Sequence, residues 1–347
     1  MTTPISTVLT EHKKRFRLSE LDDAILANFH IPSGWCSLDD RGLICASGEE
    51  AEVFLQGQLT QDMARVKQGH SLLAAHCTPK GRVLFLFLCG FWQGQFYLDL
   101  PSELEATALK RLMMYKLRAK VILESAGNRV ARSALWGDAM RIFLQDAGWD
   151  VPEEPGATTH SVDGLLACMS KGRWVLMSST SYAKDLRDQL SLKFTPSLQA
   201  WLISCVRSGE PEVVGLTTDT WIPQMLNLDL LQGVSFKKGC YTGQEIVARA
   251  HFLGRVKRRM RLFAYEGDAT PAPGQNLQFN IEDTALLGGQ ESVESHVNEV
   301  DEDSIDSAQV VHAVELQPGH GWVLAVAKLP VNDKPKLSEN TPSENVR

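Results

Sequence analysis

The chain has 347 residues, 44% of them hydrophobic, a net charge of −7 and seven cysteines. That length allows two or three domains with real cores, while the longest apolar run, residues 83–92, falls well short of the roughly 20 residues a membrane helix needs. The opening MTTPISTVLTEHKKRF has no signal-peptide core, and scattered cysteines without a C-x-x-C pair argue against a disulfide framework or a self-contained zinc or iron–sulfur site, so a cytoplasmic protein with no metal site and mostly buried, inert thiols is expected.

Residues 1–21 read as a polar lead-in. Short strands are predicted at 36–38 and 43–46, around a turn at Asp39-Asp40-Arg41-Gly42. Ser47 followed by Glu50 has the spacing of a capping box and opens a helix running to about residue 55. Strands at 72–76 and 82–89 flank Thr78-Pro79-Lys80-Gly81, whose proline and glycine suit a hairpin turn. A strand at 95–100 leads to a second capping-box pattern, Ser102 and Glu105, and a helix with Leu104, Leu109, Leu112 and Met113 on one side. Strands at 130–136, 164–169 and 173–177 and helices at 138–147 and 181–192 repeat the mixture. A loop fits 151–159, and a helix at 198–207 gathers Trp201, Leu202 and Cys205 on one face. The irregular alternation is that of an α+β fold: two intertwined α/β units over 22–255. Short, well separated strands over 256–330, with turns at 271–274 and 318–321, predict a small β-barrel or sandwich. It carries an acidic insertion at 282–306, and 331–347 reads as a disordered tail.

Charge is unevenly spread. Residues 235–261 hold eight bases against one acid, a net +7 that leaves −14 for the remainder. Such a strip suits an anionic partner, or a solvated surface paired with neighbouring acids. Within it, Thr242-Gly243-Gln244-Glu245 has capping-box spacing, with Ile246, Val247 and Ala250 as the buried side of the following helix. Cys240 then precedes a helix N-terminus and follows Lys237 and Lys238, a setting that favours a thiolate. Gly239 and Gly243 allow close backbone approach. Position alone equally allows a small cysteine buried under a helix.

The run Lys238-Gly239-Cys240-Tyr241-Thr242-Gly243-Gln244-Glu245 resembles the K-G-C-[FY]-x-G-Q-E signature of the YgfZ family, folate-binding proteins related to the glycine-cleavage T protein. The likeness includes Gln56-Gly57-Gln58, Leu72 to Cys77 with Pro79-Lys80-Gly81, and Ile222-Pro223-Gln224 with Asn227-Leu228, and spans about residues 35–262. It implies a three-domain ring of two ferredoxin-like α/β units and a C-terminal β-barrel around a channel for tetrahydrofolate or a derivative. It also implies a role in maintaining iron–sulfur enzymes, including tRNA-thiolating ones, with tRNA served indirectly. Cys240 carries over as the residue the family depends on, for thiol chemistry. Trp201 and Arg41, Gln224 and Asn227, and Tyr241, Gln244 and Arg249 carry over as folate contacts. Lys238, Gly239, Gly243 and Glu245 complete the signature.

Three departures matter. Arg41 stands where the family has a tryptophan, so a guanidinium replaces one stacking surface. Arg207-Ser208-Gly209 replaces E-A-G, removing the carboxylate that T-protein relatives aim at the pterin; Glu210 and Glu212 are the nearby substitutes. The stretch Gly81-Arg82-Val83-Leu84-Phe85-Leu86 lacks the T-protein aspartate, which argues against aminomethyl transfer. His76 and Cys77, neighbours on a strand, point to opposite sides. Alternatives are a folate-dependent one-carbon transferase and an RNA-binding protein using 249–261. Without aromatics alternating with its bases, that strip is expected to brace the barrel or hold a polyglutamate tail. A monomer is expected, since no long amphipathic helix is left over.

Overall fold

The computed structural model describes residues 16–21, 26, 28–254, 256–280 and 305–328. Most of the acidic stretch 282–306 and all of 331–347 lie outside them. The strands are β1 (Phe16–Glu20), β2 (Gly34–Ser37), β3 (Arg41–Ser47), β4 (Leu72–Cys77), β5 (Val83–Trp92), β6 (Gln95–Pro101), β7 (Ile122–Ser125), β8 (Val130–Trp136), β9 (Thr158–His160), β10 (Gly164–Ser170), β11 (Arg173–Ser179), β12 (Arg258–Gly267), β13 (Asn276–Asn280), β14 (Ile305–Gln317) and β15 (His320–Lys328). The helices are α1 (Ala51–Gln58), α2 (Met63–Lys67), α3 (Ser102–Lys116), α4 (Asp138–Asp146), α5 (Thr180–Ser191), α6 (Leu198–Arg207) and α7 (Gln244–Phe252).

Three antiparallel five-stranded sheets result, in the orders β4-β5-β6-β3-β7, β2-β8-β11-β10-β9 and β1-β12-β15-β14-β13. The first is covered by α1, α2 and α3 over a core of Phe54, Leu55, Phe87, Leu98 and Leu112. The second carries α4 and α5 over Leu135, Phe143, Trp174 and Leu186. Their uncovered faces pack on each other through Leu43, Leu88 and Tyr97 on one side and Leu165, Val175 and Met177 on the other. The third sheet curls until β1 lies against β13, around Leu18, Phe263, Tyr265 and Val323. A separate core of Val83, Trp221, Leu226, Val247 and Trp322 joins it to the first sheet.

Several sequence expectations change here. Residues 16–20, the end of the expected lead-in, pair with β12 from Phe16↔Gly267 to Glu20↔Phe263. One buried leucine, Leu18, was too little apolar pattern to announce an edge strand. Strands β2 and β3 do not pair with each other: β2 joins β8, while β3 joins β6 and β7. The C-terminal strands are long, 10, 13 and 9 residues in β12, β14 and β15. Register shifts at Val310/His312 and Glu315/Gln317 break the alternation a sequence reading relies on. None of the three capping boxes forms. Glu50 Oε2 accepts from Lys120 N at 2.6 Å, Glu105 Oε2 accepts from Leu43 N at 3.3 Å, and α7 starts from Gly243. Met113 is exposed although its helix is placed as expected.

His76 sits on β4, an edge strand of the first sheet, yet is fully buried, with Nδ1–H donating to Gln58 O at 3.0 Å and Nε2 unpartnered. Burial pushes its pKa down to about 4, opposed by the Gln58 bond. The folded state therefore stays neutral while the unfolded chain takes a proton near pH 6.5, so stability is lost as pH falls through that window. The expected loss is about 3 kcal/mol between pH 6.5 and 4. Urea unfolding at stepped pH will measure it, and His76→Phe will remove one proton's worth of slope.

Candidate functional site

Two local arrangements bring together the residues singled out in sequence. The first is the loop carrying Cys240. Gly243 caps α7 at φ +84°, and a Cβ there would lie 2.4 Å from Thr78 O and 3.1 Å from the Gly81 Cα. Gly81, at φ +72°, would in turn place a Cβ 2.9 Å from Ile246. Both glycines are needed because the loop packs backbone to backbone on the β4–β5 turn. Lys238 ties the other side: its Nζ donates to the carbonyls of Gln56, Leu59 and Gln61 at 2.7, 2.6 and 2.8 Å, around the C-terminal end of α1. Three acceptors match the three N–H of an ammonium, and a helix C-terminus favours the cation. Burial still lowers its pKa to about 8. This lysine is thus committed to a helix end and does not supply the local charge expected beside Cys240.

Tyr241 is buried beneath Lys238, whose Nζ lies 5.2 Å from the ring centre, and desolvation raises its phenol pKa. Cys240, Gly239 and Glu245 are exposed. Five of the other cysteines are buried and Cys205 is half-buried, so Cys240 alone among the described thiols is fully exposed. Burial pushes Cys36, Cys77 and Cys168 up to about 12. On α7 only Val247 is buried, while Ile246 and Arg249 are exposed and Gln244 is half-buried.

The second arrangement is a cavity of about 130 Å³ where the three sheets meet, with walls from Leu73, Leu86, Leu88, Met169, Val175, Trp201, Leu202 and Cys205. Its polar side holds Arg41, Asp99, Glu210, Glu212 and His312. Arg41 Nη2 lies 2.7 Å from Asp99 Oδ1, and its Nη1 donates to Glu212 Oε1 at 2.5 Å. Burial draws the Arg41 pKa down, but these two carboxylates outweigh it and hold it raised. Arg132 Nε is 3.3 Å from Asp99 Oδ2. Burial pushes the Asp99 carboxyl above the usual range against the pull of both arginines. Arg173 forks onto both Glu210 oxygens and lies over Trp201, 4.3 Å from the ring centre. Desolvation lowers the His312 pKa, against the pull of Glu212 and Glu210. An open cleft of about 390 Å³, lined by α5 and Arg132, shares Leu38 and Arg41 with this cavity.

The structure therefore brings Arg41 and Trp201 to one cavity and leaves Cys240, Tyr241, Gln244 and Arg249 outside its lining. Gln224 and Asn227 are also elsewhere. Gln224 Nε2 donates to Val247 O at 2.7 Å, and Asn227 Nδ2 donates to Met260 O at 2.8 Å, beside a bidentate Arg259–Asp229 pair at 2.9 Å. Arg207 donates to Phe29 O at 2.8 Å. Glu210 and Glu212, only substitutes in the sequence, are carboxylates of the cavity wall. No motif marks them, because their placement depends on arginines 37 and 171 residues away. Among the described residues, no group of three potential metal ligands occurs and no helix is long and apolar enough to cross a membrane.

No protein-family model matches the chain. A solved structure of the glycine cleavage system aminomethyltransferase T from Bartonella henselae superposes with a TM-score of 0.62 at 14% identity, covering 89% of this chain and 87% of that one. That likeness shows the fold: two α/β units and a C-terminal barrel in the T-protein arrangement. The tRNA-modifying protein YgfZ of Photorhabdus laumondii is 33% identical over 264 residues, 74% of this chain and 79% of that protein. The same protein of Hamiltonella defensa is 30% identical over 311 residues, 87% and 85% of the two chains. With relatives at this identity spanning most of both chains, the protein belongs to the YgfZ family.

Proposed function

We propose that this protein is an accessory factor in tRNA modification that holds a tetrahydrofolate in the central cavity and works through the Cys240 thiol, supporting iron–sulfur enzymes that include tRNA-thiolating ones. The observation that carries the folate reading is the composition of the cavity: apolar walls and Trp201 on one side, Glu210 and Glu212 on the other. A pterin has an apolar ring and an N–H-rich edge that asks for a carboxylate, and these residues fit it. Both Glu210 oxygens are engaged by Arg173, whereas Glu212 gives Arg41 only Oε1. Glu212 is therefore the residue assigned to the pterin edge, with Trp201 and Met169 against the ring. When bound, a tetrahydrofolate supplies a reduced pteridine able to carry a one-carbon unit. Arg41 orients Glu212, and the surrounding leucines exclude water.

Accessory action is favoured over aminomethyl transfer by the same geometry. Strand β5 presents Leu86 and Leu88 to the cavity, and the nearby Asp99 is already shared by two arginines. Strand β5 itself carries no carboxylate that could act as a base. A thiol on an exposed loop suits reaction with a partner brought to it; one sulfur cannot hold a cluster unaided.

Calorimetry with tetrahydrofolate tests the cavity assignment. Glu212→Gln, which keeps shape and removes charge, is expected to weaken binding about tenfold or more through loss of a charge-assisted bond. Unchanged affinity in a folded variant sinks the assignment.

A further inference from the structure

The basic stretch was expected to brace the barrel or to hold an anionic tail. The structure divides it. Arg259 does brace, through Asp229, and Lys238 is committed to α1. Lys237, Arg249, Lys257 and Arg258 are different: all four are exposed, and among the described residues none makes an ion pair. Among the described residues no acid is set within ion-pair distance of any of them. Bases left unpaired on an acidic protein form a site of positive potential open to an outside anion.

The same stretch carries Phe236, His251 and Phe252, which do not alternate with the bases but are gathered by the fold. The His251 ring stacks on Phe236 at 3.8 Å and 16°. Phe252 stands edge-on to both, at 4.7 and 5.6 Å, and is 65% exposed. Leu253 beside it is 84% exposed. A stacked aromatic platform open to water, carried on the same stretch of chain as these cations, supplies the two parts that recognise unpaired nucleic acid: π-faces for bases and charges for phosphates. An acidic protein would use the charges and leave the rings without a matching partner.

We propose that this face, next to Cys240 in the chain, docks an unpaired stretch of RNA directly. A base stacks on Phe252 and the His251–Phe236 pair, and phosphates lie on Lys237, Arg249, Lys257 and Arg258. The proposal rests on the tRNA-related reading above and turns an indirect relation into a contact.

Fluorescence anisotropy with a labelled unstructured oligouridylate, on the full chain between about 20 and 200 mM salt, tests it. The affinity is expected to fall with salt at a log–log slope of about −3, from four phosphates at about −0.7 each. Lys257→Gln with Arg258→Gln halves that slope. Phe252→Ala weakens binding about tenfold at every salt and leaves the slope unchanged. Both changes are at exposed positions, and circular dichroism checks the fold. Absence of binding at the lowest salt overturns the proposal, as does affinity untouched by either variant. Equal binding of a blunt RNA duplex, whose bases are already stacked, overturns it too, as does a partner that proves to be protein alone. Cys240→Ala is expected to bind the oligonucleotide like wild type. If it does so and also supports client enzymes normally, the thiol reading falls while the RNA contact stands.

Discussion

Replacing Cys240 by alanine is expected to abolish support of iron–sulfur enzymes while leaving the fold and the folate affinity as they were. The side chain is exposed and lines no part of the central cavity, so the substitution removes one sulfur and little packing. Surface changes of this kind shift stability by within about 0.5 kcal/mol. The loop itself is held by other groups: Gly243 against the Thr78 carbonyl, and Lys238 on the end of α1. Activity of a tRNA-thiolating enzyme in cells carrying only the alanine form is the measurement. Near-normal activity there, with the variant present at wild-type level, removes the thiol from the mechanism.

Asp99→Ala is expected to cost about 3–5 kcal/mol of unfolding free energy, the usual penalty for stranding buried charge. Asp99 and Arg132 are each 5% exposed in their side chains, and Arg41 is 19% exposed. Asp99 lies on β6 of the first sheet and Arg132 on β8 of the second, so one carboxylate joins two α/β units. Without it Glu212 still faces Arg41, but Arg132 keeps only carbonyl partners, those of Val130 and Arg41. Asp99→Asn, which preserves volume and part of the hydrogen bonding, should lose less. The difference in urea midpoints between the two variants reports the charge separately from the shape. A loss under about 1 kcal/mol for the alanine form means that water reaches the arginines through the neighbouring cleft.

Local features of the chain were legible before the fold was. Helix α6 begins where Ser197 follows Pro196, and Ser197 Oγ accepts from Ala200 N at 3.1 Å, so its expected span of 198–207 matches. The hairpin of β4 and β5 follows from Thr78-Pro79-Lys80-Gly81 and the apolar runs on either side. Two of the three capping boxes failed for one physical reason. A side chain that can cap its own helix can also serve a more distant backbone N–H, and Glu50 and Glu105 found one in Lys120 and Leu43. The capping motif states capacity, and packing selects the partner.

From residues alone came the helix and hairpin positions, the α+β class, the basic strip and the prominence of Cys240, because each rests on periodicity, turn chemistry or charge within a few neighbouring positions. The fold had to supply the rest: Glu210 and Glu212 in the cavity wall, Lys238 tied to α1, Phe236 stacked on His251, and β1 closing the third sheet. These depend on which sheet a strand joins and which carbonyls an end group meets. Such contacts link segments up to some 250 residues apart in the chain, as β1 and β12 do, and no local pattern encodes that distance.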